Sequence, residues 1–426
     1  MRVLVTGAYG LIGAACLARL HAAGHEVVAA GRNIASARRR LPYAQWVAAD
    51  FNKLADAGAW LPLLHGIDAV VNCVGVLQDG LRDDVQRVQL DGTKALFDGC
   101  VRAGVGRVIH ISAIGAEPDG PSAFSRSKAG AEAYLKELPL DWVILRPALV
   151  LGPAVYGGTA MLRGIAAFPG VVPVVHADAR IQVIGLDDLT ETVVRALAPD
   201  RPAQTVWEVT HPQVHRLADI VNAVRAWLGF RPRRVAALPP AIAKVVARLA
   251  DALGWLGWRS PARSTSLAQL TAGVVGDPAR WMAETGIAPK SLEAILAARP
   301  ANVQDRWFAR LYLLKPLAIL GLALAAIIPS ATSLAFVLAP RIASGSLRAF
   351  AAGVVVTVVY LLAGLSLLVR PAARCALFVL LVLTLLQLTG LWVRPSISFL
   401  WSFNTATFWL PMLLAVLFTL GILDDR

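Results

Sequence analysis

A lysine and a phenylalanine set the chemical question for this chain. Lys128 stands four residues after Phe124 in the stretch FSRSKAGAE. Lysine is a candidate catalytic group, because its ammonium donates hydrogen bonds and exchanges a proton, whereas a phenyl ring has no proton to give. The pair therefore asks whether the protein is an enzyme or a fold that keeps a cofactor without its chemistry.

Three glycines follow the first strand-like run. RVLVT at residues 2–6 leads into a glycine-rich turn, then an apolar helix, LIGAACLARLHAAG, and a second strand at residues 26–31. Strand, glycine turn, helix and strand in this order are typical of the βαβ unit that binds a pyrophosphate at a helix N-terminus. Here Gly7 allows the tight turn, Gly10 lets the backbone approach the phosphates, and Gly13 lets the helix pack on the sheet. The predicted cofactor contacts of this turn are Gly7, Tyr9, Gly10, Leu11, Ile12 and Gly13.

The end of the second strand bears on which dinucleotide is bound. It reads Gly31-Arg32-Asn33 and carries no carboxylate for a ribose 2′-hydroxyl. Arg32 suits a 2′-phosphate, so the sequence favours NADP over NAD. The alternative is an ordinary surface arginine.

The alternation of strands and helices continues through residue 147. It predicts an α/β fold with a parallel, doubly wound sheet, in which ligands bind at the carboxyl ends of the strands. The further strands are expected at 46–51, 68–75, 107–112 and 141–147, with helices at 83–103 and 124–138. Asp50 could meet the adenine amino group. The other predicted cofactor contacts on these strand ends are Phe51, Val74, Gly75, Lys128 and Pro147.

With these elements in place, the chain resembles the short-chain dehydrogenase/reductase superfamily. TGAYGLIG, NCVG, RVIHIS, FSRSK and LRPALVLGP occur in the family's order, and the resemblance extends over residues 1–297. Within the superfamily the chain resembles the atypical branch, which includes the NADPH-binding accessory subunit of respiratory complex I. Later matches are residues 181–197 and 286–296. The resemblance implies a nucleotide-binding domain over 1–300, with a substrate half at roughly 150–300.

The resemblance also implies a catalytic group of tyrosine, lysine and serine. Lys128 matches the lysine, and Ser112 matches the serine if its strand is aligned directly; a slip of one residue puts Ala113 there instead. Phe124 replaces the tyrosine. The side chains that could substitute for it are Tyr134, Tyr156, His176 and Asp178.

Two functions stay open from the sequence. In one, the protein binds NADP(H) and transfers hydride without the usual acid, to a membrane-dissolved quinone or isoprenoid. In the other, the nucleotide is structural or a sensor in a membrane complex, and respiratory-chain proteins are the expected partners. A nucleotide-sugar epimerase or dehydratase would need the missing tyrosine.

The last part of the chain is strongly apolar. Mean hydropathy is +0.60, and residues 316–423 contain no Asp, Glu or Lys. The uncharged blocks are long enough to cross a hydrocarbon core of about 30 Å. They predict an all-α four-helix transmembrane domain at 311–426, similar to the DoxX-like membrane domain; the alternative is the buried helices of a soluble domain. The expected spans are about 316–339, 349–369, 375–393 and 402–423.

Charge and localisation follow from the same composition. The start of the chain does not have the pattern of a signal peptide, so we expect a multi-pass protein of the inner (cytoplasmic) membrane with its nucleotide-binding domain in the cytosol. The net charge of +13 lacks any aromatic-interleaved basic motif, so the predicted partner is the lipid bilayer and not nucleic acid. The four cysteines form no CxxC pair, and we predict no metal site.

Residues 239–264 predict one more helix. Apolar residues recur there at helical spacing, and two tryptophans stand beside arginines. This composition is typical of a segment at a membrane interface, although a helix packed on the substrate half is an equal alternative.

Overall fold

The structure is a computed structural model that describes residues 1–81, 83–198, 200–337, 347–393 and 399–423. The chain divides into two compact units. The first unit is Met1–Ala252 with Ser260–Arg306, and the second unit is Leu253–Arg259 with Trp307–Arg426. The end of the first expected span, at residues 338–339, lies outside the described residues.

Short β-branched runs form the strands. The described strands are β1 (Arg2–Thr6), β2 (Glu26–Gly31), β3 (Gln45–Ala48), β4 (Ala69–Asn72), β5 (Arg107–Ile111), β6 (Asp141–Pro147), β7 (Leu149–Leu151), β8 (Val172–Val174), β9 (Arg180–Ile181), β10 (Val183–Gly185), β11 (Thr205–Val209), β12 (His215–Arg216) and β13 (Val235–Ala237). Seven of them form one parallel sheet in the order β3-β2-β1-β4-β5-β6-β11. The remaining six form three two-stranded pairs: β7 with β10, β9 with β12, and β8 with β13.

Helices cover both faces of the large sheet. The described α-helices are α1 (Leu11–Ala22), α2 (Ile34–Arg40), α3 (Ala57–Leu64), α4 (Gly92–Ala103), α5 (Ala123–Glu137), α6 (Gly158–Ala166), α7 (Leu186–Ala196), α8 (Leu217–Trp227), α9 (Pro240–Trp255), α10 (Ser264–Ala272), α11 (Ala279–Thr285), α12 (Leu292–Ala297), α13 (Val303–Val337), α14 (Leu347–Leu367), α15 (Arg370–Val393) and α16 (Phe399–Ile422). Because alternate strand residues point to opposite faces, β1 supplies two cores. Val3 and Val5 join one buried cluster, and Leu4 joins the other.

This sheet confirms the predicted α/β class and its Rossmann-type strand order. Three local predictions were wrong. The fourth strand ends at Asn72 and not at residue 75. The third strand ends at Ala48 and not at residue 51, because the carbonyl of Asp50 already accepts turn hydrogen bonds from Lys53 and Leu54. The helix expected from residue 83 begins as a short π-helical turn, Arg87–Asp91, before α4. At that junction a Cβ on Gly92 would lie 2.6 Å from the Phe51 carbonyl oxygen, so the helix passes close to the turn that follows β3.

The second unit contains three described apolar helices, α14 to α16, together with α13 from Trp307 onward. Two segments, Val303–Leu334 and Arg370–Leu388, are long and apolar enough to cross a membrane, which by itself is weak evidence. The described apolar parts of the other two, Val354–Leu367 and Trp409–Ile422, are shorter. Within the second unit Leu322, Leu377 and Val416 belong to one buried cluster. The four-span membrane domain therefore stays a prediction.

Candidate functional site

The turn from Gly7 to Gly13, called the glycine turn below, joins β1 to α1. Gly7 has a φ of +62°, and a Cβ there would lie 2.9 Å from the Cys73 carbonyl oxygen. A Cβ on Gly13 would lie 2.3 Å from the Gly7 carbonyl oxygen, so no larger residue fits. The helix begins without a side-chain cap at Gly10, which leaves backbone N–H groups at its first turn for an anion. These are the features that a pyrophosphate site requires.

The residues predicted for the adenosine lie at the ends of β2 and β3. The Tyr9 ring stacks near Trp46 with centroids 6.4 Å apart, and it lies where a side chain on Gly31 would be. The Arg32 guanidinium pairs with the Asp83 carboxylate at 2.8 Å. Asp83 lies in a loop 51 residues further along the chain. The pairing with Asp83 and the contact with Tyr9 raise the pKa of Arg32 against the lowering effect of its burial.

The predicted contacts Asp50 and Phe51 differ in their surroundings. The Asp50 carboxylate accepts a hydrogen bond from the backbone N–H of Asn52 at 3.2 Å, so it is held at the strand end. The Phe51 side chain is buried edge-on against Trp60, with ring centroids 4.9 Å apart. The Phe51 side chain is therefore a core element, and its backbone is what remains for a ligand.

Lys128, with the carbonyl groups that it contacts, forms what is called the lysine site below. Its Nζ donates to the carbonyl oxygen of Val74 at 3.2 Å and to that of Ile111 at 2.8 Å, at the ends of β4 and β5. Gly75 is adjacent, since a Cβ there would lie 3.9 Å from Nζ. Burial lowers the pKa of Lys128 to about 8, and the nearby Glu132 and Cys73 partly offset this effect. The structure thus brings Val74, Gly75 and Lys128 together, and their contact with a cofactor stays a prediction.

Two residues that the sequence analysis missed hold this end of the sheet. Asn72 accepts from Thr6 Oγ1 at 2.7 Å and contacts His110 Nδ1 at 3.2 Å, which ties together the ends of β1, β4 and β5. Gln89 accepts from the backbone N–H of Val76 and donates to Ser127 Oγ at 3.0 Å. The motif NCVG contains Asn72, but nothing local marks Gln89.

Ser112 makes a contact that its predicted role does not involve. Its hydroxyl donates to Glu132 Oε1 at 2.5 Å, and Glu132 is buried. The Arg146 guanidinium holds the same carboxylate through Nε and Nη2, with a shortest distance of 2.6 Å. The Ser112 proton is therefore committed to Glu132 in this conformation, and the oxygen is left as an acceptor. Pro147 ends β6 directly after Arg146.

Phe124 lies in the first turn of α5, and its carbonyl oxygen accepts from Ser127 Oγ at 3.1 Å. Of the possible substitutes for the missing tyrosine, Tyr134 donates its hydroxyl to Asp98 on α4 at 2.6 Å and is not at the lysine site. His176 and Asp178 line a cavity of about 350 Å³ with residues of β13, α9 and α10. Tyr156 lies in the loop before α6. No group of three or more His, Cys, Asp or Glu side chains suited to a metal occurs among the described residues.

Comparison with known protein families identifies the domain that contains the glycine turn. Residues 7–162 match the family model described as NAD(P)H-binding, and this range contains both the glycine turn and the lysine site. These residues form an NAD(P)-binding Rossmann domain. The match covers a nicotinamide dinucleotide in either form and does not separate NADP from NAD.

Similarity to individual proteins extends over more residues than this family match. An uncharacterized protein of Mycobacterium tuberculosis is 32% identical over 197 residues, which are 46% of this chain; the chain covers 20% of that protein's length. Sterol demethylase protein B of Methylococcus capsulatus is 28% identical over 334 residues, 72% of this chain and 99% of that protein. The 40 kDa subunit of NADH-ubiquinone oxidoreductase from Neurospora crassa is 21% identical over 225 residues, 53% of this chain and 58% of that subunit.

A solved structure supports the fold of the NAD(P)-binding domain. The UDP-glucose 4-epimerase of Thermotoga maritima superimposes with a TM-score of 0.54 over 74% of this chain and all of that chain, at 16% sequence identity. At this identity the likeness concerns the fold alone.

Proposed function

We propose that this chain is a membrane-anchored, NADP(H)-dependent oxidoreductase in which Lys128 exchanges the proton that a tyrosine exchanges in the enzymes it resembles. The observation that carries the proposal is the lysine site, a buried ammonium at the carboxyl ends of two strands with a pKa lowered to about 8. A catalytic acid or base works best when its pKa lies near the operating pH.

Hydrogen-bond counting defines what Lys128 has left to offer. An ammonium has three N–H donors, and two are directed at the carbonyl oxygens of Val74 and Ile111. The third serves a ribose hydroxyl or a substrate oxygen. When bound, the dinucleotide supplies or accepts the hydride. Lys128 orients that oxygen and gives up or takes the matching proton at Nζ.

The proposed substrate is a membrane-dissolved isoprenoid, either a quinone or a sterol-like lipid. Two observations support it: the apolar helices of the second unit, and the similarity to a protein named for sterol demethylation. The proposal places α13 to α16 in the inner (cytoplasmic) membrane and the nucleotide-binding domain in the cytosol. Protease digestion of right-side-out and inverted vesicles tests this topology, because the domain should be cut in inverted vesicles alone.

NADP is the proposed form of the cofactor. Arg32 directly follows β2. The end of this strand carries no Asp or Glu, and an arginine in that position suits a 2′-phosphate. The pairing of Arg32 with Asp83 means that a phosphate would compete with, or join, an existing ion pair.

A second candidate function is a nucleotide-binding structural or sensor module of a membrane complex. Two observations favour it. Phe124 supplies no acid, and Ser112 directs its proton to Glu132. Its support among similar proteins is the 40 kDa subunit of NADH-ubiquinone oxidoreductase, and respiratory-chain proteins are the partners that this function would imply. A sugar-nucleotide epimerase shares the fold, but that chemistry would need a tyrosine at position 124.

Turnover and binding separate the two functions. The full chain in lipid nanodiscs is given NADPH and decylubiquinone, and nicotinamide absorbance is followed with time. We expect oxidation that falls by about 10²–10⁴ in Lys128→Met, the usual contribution of a positioned acid or base. Lys136→Met, on the same helix but exposed, is the matched control and should keep wild-type turnover. Tight NADPH binding without turnover, with quinone and with sterol ketones, would favour the structural or sensor function.

A further inference from the structure

Helix α9 exposes an apolar stripe that the described residues of the first unit do not cover. Six large apolar side chains on it are more than a third exposed, among them Leu249 at 61% and Trp255 at the end of the helix. The five other than Trp255 are spaced mostly three or four residues apart, so they line one face of the helix. The stripe consists of Ile242, Val245, Val246, Leu249 and Leu253.

The buried side of α9 consists of small residues. Ala243, Ala247 and Ala250 are buried, each at 6% exposure or less. The helix is therefore seated on the first unit by alanines, while its large apolar side chains point elsewhere. In a helix that packs against its own domain the large side chains normally face inward. The inverted arrangement indicates that the stripe has an external partner.

The charge around α9 favours an anionic partner. Residues 220–250 contain no Asp or Glu but six cations. Arg225 is buried, and the other five are exposed: Arg231, Arg233, Arg234, Lys244 and Arg248. Lys244 and Arg248 lie on α9 itself, on the side of the helix turned away from the stripe. An apolar face on one side and cations on the other are the pattern of a helix that lies in the surface of an anionic membrane.

The residues that follow α9 belong to the second unit and make hydrogen bonds within it. The Leu256 carbonyl oxygen accepts from the backbone N–H of Arg370 at 2.9 Å, and Trp258 Nε1 donates to the Leu368 carbonyl oxygen at 2.7 Å. The Arg370 guanidinium lies over the Trp258 ring, 5.5 Å from its centroid. Tryptophan and arginine at the junction of two apolar helices are the residues found where a membrane helix meets water.

We propose that α9 lies in the plane of a membrane interface, with its apolar stripe in the acyl boundary and anionic phospholipid as its partner. Burial of about 5–10 Å is usual for such helices. The inference rests on the membrane anchoring in the proposed function, and it adds a specific surface through which the nucleotide-binding domain meets lipid.

A photo-crosslinking amino acid tests the surface. It replaces Leu249 in the full chain, which is reconstituted in phosphatidylglycerol nanodiscs, irradiated and digested. Lys244, on the charged side of the same helix, and Lys136, on α5, are the matched control positions. We expect a phospholipid adduct at position 249, several-fold more abundant than at either control and reduced in phosphatidylcholine. CD spectra and NADPH binding confirm that each variant is folded.

Three results would overturn the proposal: equal adduct yields at 249 and 244, no lipid adduct at 249, or an adduct to a second copy of the chain. The readout does not depend on turnover, so an inactive protein that forms the adduct sustains this inference while the proposed oxidoreductase fails. Extraction of the chain from its membrane by alkaline carbonate would instead remove the anchoring on which both depend.

Discussion

The glycine turn and the lysine site are held by different kinds of interaction. At the glycine turn, backbone atoms occupy the space that a side chain on Gly13 would need, so backbone packing excludes any residue other than glycine at this position. At the lysine site, function depends on which side chains stand around Lys128, and Phe124 occupies the position at which an acid is expected. A fold can therefore keep its dinucleotide turn under steric constraint while the residues of its chemistry change without loss of the structure.

The largest expected effect is on stability and arises at Glu132. Its carboxylate is buried and accepts hydrogen bonds from both Ser112 and Arg146. Glu132→Ala therefore removes the carboxylate closest to the Arg146 guanidinium and leaves it only the more distant Glu208, at 3.7 Å. We expect unfolding free energy to fall by about 3–5 kcal/mol, measured by denaturant titration. Lys136→Ala is the control. That lysine faces the same carboxylate, but it is exposed and its Nζ is 3.9 Å away, so its removal should cost little. A loss below 1 kcal/mol would mean that the network is not a structural constraint.

The next effect tests the glycine turn. A Cβ on Gly10 would lie 3.1 Å from the Gly7 carbonyl oxygen, and the branches of valine would extend into the phosphate position. We expect Gly10→Val to weaken NADPH binding at least about 100-fold, or by about 2.7 kcal/mol, by calorimetry. Gly158→Ala, where an added Cβ meets nothing within 4 Å, should bind normally. Retained affinity in Gly10→Val would show that the phosphates bind elsewhere.

Phe124→Tyr tests whether the lysine site lacks just one group. If the remainder of the site is competent, a phenol at position 124 near Lys128 should raise reductase turnover by about 10–100-fold, the lower part of the range for general acid catalysis. Phe124→Leu is the control without a proton. An unchanged rate in Phe124→Tyr, with NADPH binding intact, would show that the tyrosine hydroxyl does not reach the substrate.

The pH dependence sharpens the role of Lys128. Its folded pKa, about 8, lies below the ordinary value of about 10.4, so the ammonium is lost as pH rises through 8. Substrate reduction that uses this proton should therefore fall about tenfold per pH unit above pH 8. In Lys128→Arg the guanidinium stays charged, and the decline should move beyond the accessible range. A decline at pH 8 that persists in Lys128→Arg would assign it to another group.

The smallest effect concerns cofactor choice at Arg32. We expect Arg32→Ala to weaken NADPH binding by about tenfold, with little change for NADH, because one charge-assisted hydrogen bond is lost. Asp83→Asn removes the competing carboxylate and should strengthen NADPH binding by a few-fold. Equal changes for NADPH and NADH in Arg32→Ala would remove this arginine from the 2′-phosphate site.

The sequence was most informative where local pattern and structure coincide. β1, β2 and β6 have the predicted bounds, because each is a short apolar run bounded by glycine, proline or polar residues. The glycine turn was also predictable from the sequence, because its glycine spacing follows from a close approach of backbone segments only a few residues apart.

Contacts between distant residues were not predictable from local pattern. Ser112 contacts Glu132 across 20 residues, Arg32 contacts Asp83 across 51, and Gln89 links the loop after β4 to α5. Each pairing exists because the sheet brings strand ends to one edge, and the identity of the partner depends on the tertiary fold. The opposite seating of α9, with alanines buried and leucines exposed, likewise cannot be read from periodicity, which gives a face but not what it contacts.

The strand order has a consequence for how the protein is made. β1 lies inside the sheet, β2 and β3 add on one side, and β4, β5, β6 and β11 add in turn on the other, so no later strand has to separate earlier neighbours. The sheet is complete in the nascent chain at Val209, long before the first of the long apolar helices, α13, begins at Val303. At about 5–20 residues per second, the ribosome gives this domain seconds to assemble before the long apolar helices are synthesised.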